Sequence, residues 1–165
     1  MKMLIGVLVL LASAAALATP AVGDYVKYNI SVTPAGSTTA VTGTLEQQLM
    51  SFNATTNQYD QKNTTTITGG TATVQEGLVN AADLITDAGI AQILGNCSSF
   101  GGTSASAVLP DGSHTNGCAV PVDSTTEHST YVVVKVPFGI FAADIVSKAN
   151  GNHTIATLNS YKVGP

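Results

Sequence analysis

The 165-residue chain predicts a mostly-β fold: one antiparallel sheet or β-sandwich of about seven strands with one helical segment packed on it. Three observations point there. Apolar and polar residues alternate strictly from Val22 to Val32. Turn pairs Gly69-Gly70 and Asn150-Gly151 separate runs rich in Val, Thr and Tyr. Only one stretch, Leu84 to Leu94, repeats its apolar residues at helical spacing.

Taken in order, Val22, Val26, Tyr28, Ile30 and Val32 share one parity, and Tyr25, Lys27, Asn29 and Ser31 the other. This is the signature of a half-buried strand. Pro34-Ala35-Gly36 ends it, and a second strand sets Val41, Leu45 and Leu49 against Thr42, Thr44, Glu46 and Gln48. Tyr59 to Thr68 and Thr71 to Gln75 flank Gly69-Gly70, which completes a four-stranded meander. Asn80 reads as a helix N-cap with Asp83 three residues on. Leu84, Ile85, Ile90, Ile93 and Leu94 form the apolar stripe, and Gly95-Asn96 the stop. Gly89 inside that stretch leaves room for two short helices. Tyr131 to Val136 is apolar at nearly every position, as in a strand buried on both faces. Pro137-Phe138-Gly139 turns it into Ile140 to Val146, and Asn150-Gly151-Asn152 leads to a last strand, Thr154 to Val163.

Ahead of these elements, Lys2 precedes an uncharged run from Met3 to Ala18, and Ala16-Leu17-Ala18 offers a small-x-small cleavage step. That order predicts a signal peptide over 1–18 and a single secreted β-rich domain over 19–165. The run is too short for a membrane span, so no stable span is expected after its removal.

The remaining chain has five lysines, no arginine and ten acidic residues, a net charge of −5. Without a basic patch, nucleic-acid binding is excluded. Ser and Thr number 35 and charged residues only 10% of the chain. Such a hydroxyl surface repels copies of itself weakly, which suits self-packing, glycosylation or simply the pleated faces of a β-protein. Glycan acceptor patterns occur at Asn29, Asn53, Asn63, Asn96 and Asn152, where this Ser/Thr content predicts about two by chance. Cys97 and Cys118 are the only cysteines and are expected to be bridged. The loop between them, rich in Gly and Ser, would be stapled by about 3 kcal/mol.

Catalytic motifs are missing. Gly102-Thr103-Ser104-Ala105-Ser106 lacks the second glycine of a nucleophile elbow. His114, His128 and His153 stand apart, with no metal-ligand spacing. Asp111, Ser113 and Asn116 carry oxygens of the kind Ca²⁺ takes, but no bidentate glutamate closes an EF-hand loop, and Pro110-Asp111-Gly112 reads as a turn. Neither an enzyme nor a cofactor is expected.

Two resemblances sharpen the reading. Gly23, Asp24, Tyr25, Val26 and Tyr28, with Val136, Pro137, Gly139 and Phe141, resemble the opening G-[DE]-Y-V-x-Y strand and late V-P-x-G-x-F turn of LolA-like exported β-proteins. That resemblance implies an antiparallel sheet curled around helices, able to hold acyl chains in its hollow. In general build the chain is also similar to subunits of archaeal extracellular filaments, the threads and bundling pili. There an N-terminal strand leaves its own domain and completes the sheet of the next subunit.

The expected function is a non-catalytic secreted structural protein at the cell surface or in a pilus-like extracellular filament. It would self-associate head-to-tail through Val22, Val26, Tyr28, Ile30 and Val32. The alternative is a monomeric LolA-like carrier whose hollow, lined by Leu45, Leu49, Ile90, Ile93 and Val134, takes a lipid or other apolar ligand.

Overall fold

The computed structural model describes residues 20–165, so the expected leader lies outside the described residues. Nine strands are present: β1 (Tyr25–Thr33), β2 (Val41–Asn53), β3 (Gln58–Ile67), β4 (Thr73–Asn80), β5 (Thr103–Val108), β6 (His114–Asp123), β7 (Glu127–Val133), β8 (Ile140–Ser147) and β9 (His153–Lys162). They form one sheet in the order β4-β3-β2-β1-β9-β8-β7-β6-β5. Every pairing is antiparallel. The expectation of about seven strands is corrected to nine, and the sandwich alternative gives way to a single sheet.

This order has a direct consequence. Two meanders, β1 to β4 and β5 to β9, are joined where the first strand pairs with the last. The chain therefore leaves the sheet at one edge and re-enters at the other, and residues 81–102 must cross a whole sheet face. That crossing segment holds a short 3-10 turn (Ala81–Asp83), the helix α1 (Asp87–Gly95) and a second 3-10 turn (Cys97–Phe100). It packs onto both flanks of the inner face, which carries most of the apolar side chains. Ala81 and Leu84 pack with Leu49, Tyr59 and Val79. Further along, Ile85, Ile90, Ile93 and Phe100 pack with Cys118, Val133 and Ile140. Between them Val26, Tyr28, Leu45, Tyr131, Val134 and Leu158 form the central cluster.

Several boundaries depart from expectation. The first strand begins at Tyr25 rather than Val22, because Gly23 turns the chain at φ 94° and leaves Val22 exposed. β4 runs on to Asn80, and the residue expected to cap the helix is extended; its side-chain amide donates to Asp83 (2.9 Å). The α-helix starts only at Asp87, capped by Thr86, whose hydroxyl accepts from the Gly89 N–H at 3.1 Å. The strand expected over Tyr131 to Val136 instead spans Glu127 to Val133. A register shift at Val132/Val133 then lets Val133 and Val134, consecutive in sequence, both be buried.

The two unforeseen strands form a hairpin: β5 and the start of β6 lie within the disulfide loop, and β6 runs on past Cys118 to Asp123. β5 (TSASAV) has little apolar alternation, and β6 carries Gly117 and Pro121. Gly117 is needed because a Cβ there would come 2.9 Å from the Val133 carbonyl oxygen. Pro121 pairs with Thr130 of β7 but lies past Ala119, the last residue of β6 paired to β5. The missing N–H is tolerated where one side of the strand is already free.

Candidate functional site: the open sheet and its free edge

The residues named from sequence scatter over the molecule. Val26, Tyr28 and Ile30 face inward on β1, which is bonded on one side to β2 and on the other to β9. The Tyr28 hydroxyl donates to the Ile140 carbonyl oxygen at 3.2 Å. Leu45, Leu49, Ile90, Ile93 and Val134 are all buried, but in three separate clusters: Leu45 and Val134 in the central one, Leu49 beside Tyr59 and Val79, and Ile90 and Ile93 on the crossing segment itself. Side chains of the protein itself occupy the places expected to line a hollow.

Cys97 and Cys118 form a disulfide with Cα atoms 5.6 Å apart. It ties the end of the crossing segment to β6. Of the glycan acceptors, Asn29, Asn53 and Asn96 are exposed, and Asn152 is half-buried with its Oδ1 accepting from the Ala35 N–H. Asn63 is half-buried, and its Oδ1 is enclosed without a partner among the described residues. Asp111 closes a turn by accepting from the Ser113 N–H (2.9 Å) and hydroxyl (2.7 Å), which holds its carboxyl below the usual range. Asn116 sits on β6, paired with Ser106. Among the described residues no three His, Cys, Asp or Glu side chains could hold a metal ion. His128 and His153 each lie beside a carboxylate, Asp123 (2.9 Å) and Asp144 (2.8 Å), on the outer face.

Two polar residues have structural roles that the sequence reading did not assign them. Asp24 is 6% exposed, and its carboxylate accepts from the Ala21 N–H through Oδ2 and the Gly164 N–H through Oδ1, both at 2.8 Å. Glu127 is 3% exposed, and one oxygen accepts from the Ser129 hydroxyl (2.9 Å) and the Tyr131 hydroxyl (2.7 Å). Burial first, then the bond to Glu127, pushes the Tyr131 phenol well above its ordinary value. The only sequence signal for the latter set was spacing: positions 127, 129 and 131 share one face of a strand.

Among the described residues, two open clefts on the outer face stand out. One, of about 550 Å³, is lined by hydroxyls of Thr42, Thr44, Thr66 and Thr68 together with Asn29 and Ile155. The other, of about 470 Å³, lies between Asp123, His128, Thr130 and Asp144. Among the described residues no hydroxyl lining either cleft is hydrogen-bonded to a histidine.

The edges differ in what they leave open. β4 is exposed at every residue but Val79, and Val74 (51%) and Leu78 (70%) stand out on its outer face. Its ladder to β3 runs unbroken from Gln58↔Asn80 to Thr65↔Thr73. Among the described residues its far side is an unpaired row of backbone donors and acceptors, with none of the bulges, prolines or lysines that usually blunt such an edge.

No protein-family model matches this chain, and no curated protein does. Among solved structures it is similar to MucB, both alone and in complex with MucA, the latter including the Pseudomonas aeruginosa pair. Identity is 10% and the TM-scores are 0.45, 0.45 and 0.44. The matches cover 87% of this chain but 51%, 52% and 54% of those chains, so it spans about half the length of the MucB chains. A likeness of this size carries no residue and no partner across.

Proposed function

We propose that this chain is an exported, non-catalytic binding domain of LolA-like build that holds a partner polypeptide on its open sheet. The observation carrying this is that the inner face is filled by three packed clusters, two of them holding residues of the crossing segment, while edge β4 is left bare. A carrier must keep an apolar space free for its ligand, whereas here the expected lining residues are divided among three packed clusters. An extended partner, in contrast, needs only a free row of backbone groups. The disulfide fits export into an oxidising compartment. A filament role through donation of β1 is less favoured, because withdrawing it opens both of its ladders at the centre of the sheet.

Native mass spectrometry of the exported chain, with negative-stain microscopy of the same sample, tests the reading. The expected result is a mass of chain plus any glycans, with no co-purified lipid and no filaments. A retained lipid would restore the carrier, and regular filaments the structural subunit.

A further inference from the structure

On the outer face of β4 the side chains alternate apolar, acidic, apolar: Val74, Glu76, Leu78. Glu76 is exposed and stands opposite Lys62 of β3, yet no ion pair engages either residue among the described residues. A strand added outside β4 would place three of its own side chains directly against this row. Main-chain bonds supply the join, and the row supplies the selectivity. We infer that β4 is the acceptor edge for an extended partner segment carrying a Lys or Arg between two apolar residues on one face. The inference rests on the binding-domain reading and names the surface and the partner's chemistry.

A second copy of the chain fits this edge poorly. Antiparallel pairing of β4 with itself keeps both outer faces on one side only in certain registers. The register that sets Val74 against Leu78 also sets Glu76 against Glu76, and like charges directly opposite each other destabilise a pair. Moving one in-step register either way puts Glu76 against Val74 or Leu78 instead. The other free edge, β5, is no better a partner, since TSASAV carries no cation. The acidic balance of the whole chain also favours a basic segment over a further copy.

The test is fluorescence anisotropy on the chain from Thr19 onward, with labelled seven-residue peptides of alternating Thr in which Val, Lys and Val occupy one face. The Lys peptide should bind about tenfold tighter than the same peptide with Glu in place of Lys. E76K should reverse that order, which shows the variant still folded and the charge directly read. N-methylation of alternate peptide bonds should abolish binding while leaving the side chains unchanged. Equal binding of both peptides, indifference to N-methylation, or a concentration-dependent dimer through β4 in sedimentation would each overturn the inference. Those outcomes leave the binding-domain reading standing, whereas a co-purified lipid removes that reading whatever the peptides do.

Discussion

Asp24 shows how one buried side chain can hold both ends of the domain. Its two carboxylate oxygens take N–H groups from Ala21 and Gly164, and its own backbone carbonyl oxygen accepts from Leu49. Replacing it with alanine strands two donors, so D24A should cost about 3 kcal/mol, read as a lowered urea midpoint. Removing Gly164 and Pro165 takes away only one of those bonds and should cost about half as much. The motif around Asp24 was visible in sequence, but its partner lies 140 residues away, and no local pattern encodes that distance. Buried phenols set a second expectation. Burial raises the Tyr28 and Tyr131 hydroxyls well above the ordinary 10.0. Above that pH the unfolded chain releases these protons while the folded chain keeps them. Their contribution to stability is therefore whole below pH 10.0 and is lost as pH climbs toward the folded values. Urea midpoints measured from about pH 8 to about pH 11 should fall less steeply for Y28F than for the parent.

At the level of elements, strands with clear alternation and glycine turns were legible: β1, β2, β3, β8 and β9 lie close to where the pattern put them. β5 and β6 were not, because what makes them strands is their neighbour. β6 is held by β7 along Cys118↔Val133 to Asp123↔His128, and β5 is held in turn by β6. Thr103, Val108, Thr115, Val120 and Val122 favour strands, but the Ser, Ala and Asn residues, Gly117 and Pro121 set among them hide the pattern. The helix start was misplaced for a related reason: Asn80 suits a cap, but the β3–β4 ladder claims it first. The candidate site was not legible: β1 was read as a strand to be donated, yet it is bonded on both sides at the sheet centre, and β4 was read only as the last strand of a meander. The disulfide belongs to this scale too, since it fastens the crossing segment onto β6. Replacing both cysteines with serine should lower stability by about 3 kcal/mol. Hydrogen exchange should show protection lost first at residues 97–108, while β1 and β9 keep theirs. Uniform loss over the whole sheet would contradict that local role.

For the molecule as a whole, the decisive feature is that its first and last strands pair at the centre while its edges come from mid-chain. Folding must bring Tyr25 to Lys162 before the two meanders can merge, a closure spanning nearly the whole domain. The cost is one of connection, not of contacts, so rearranging the connection tests it. The ends already meet: the Gly164 N–H reaches Asp24, and Pro165 lies beside Gly23. A permutant can therefore join residue 165 to residue 20 through a short linker and open between Leu84 and Ile85. That break falls where the crossing segment changes partners, with Leu84 packed under β2, β3 and β4 and Ile85 packed toward β6 and β7. Each half stays on its own side of the sheet, and the strands now follow one another as a single meander from β5 to β4. Every ladder becomes local in sequence, so stopped-flow refolding should be faster than in the parent by about tenfold. The price is a crossing segment held from one side at each end, which should show as faster unfolding. A permutant that folds more slowly than the parent would mean that β1–β9 closure does not limit folding.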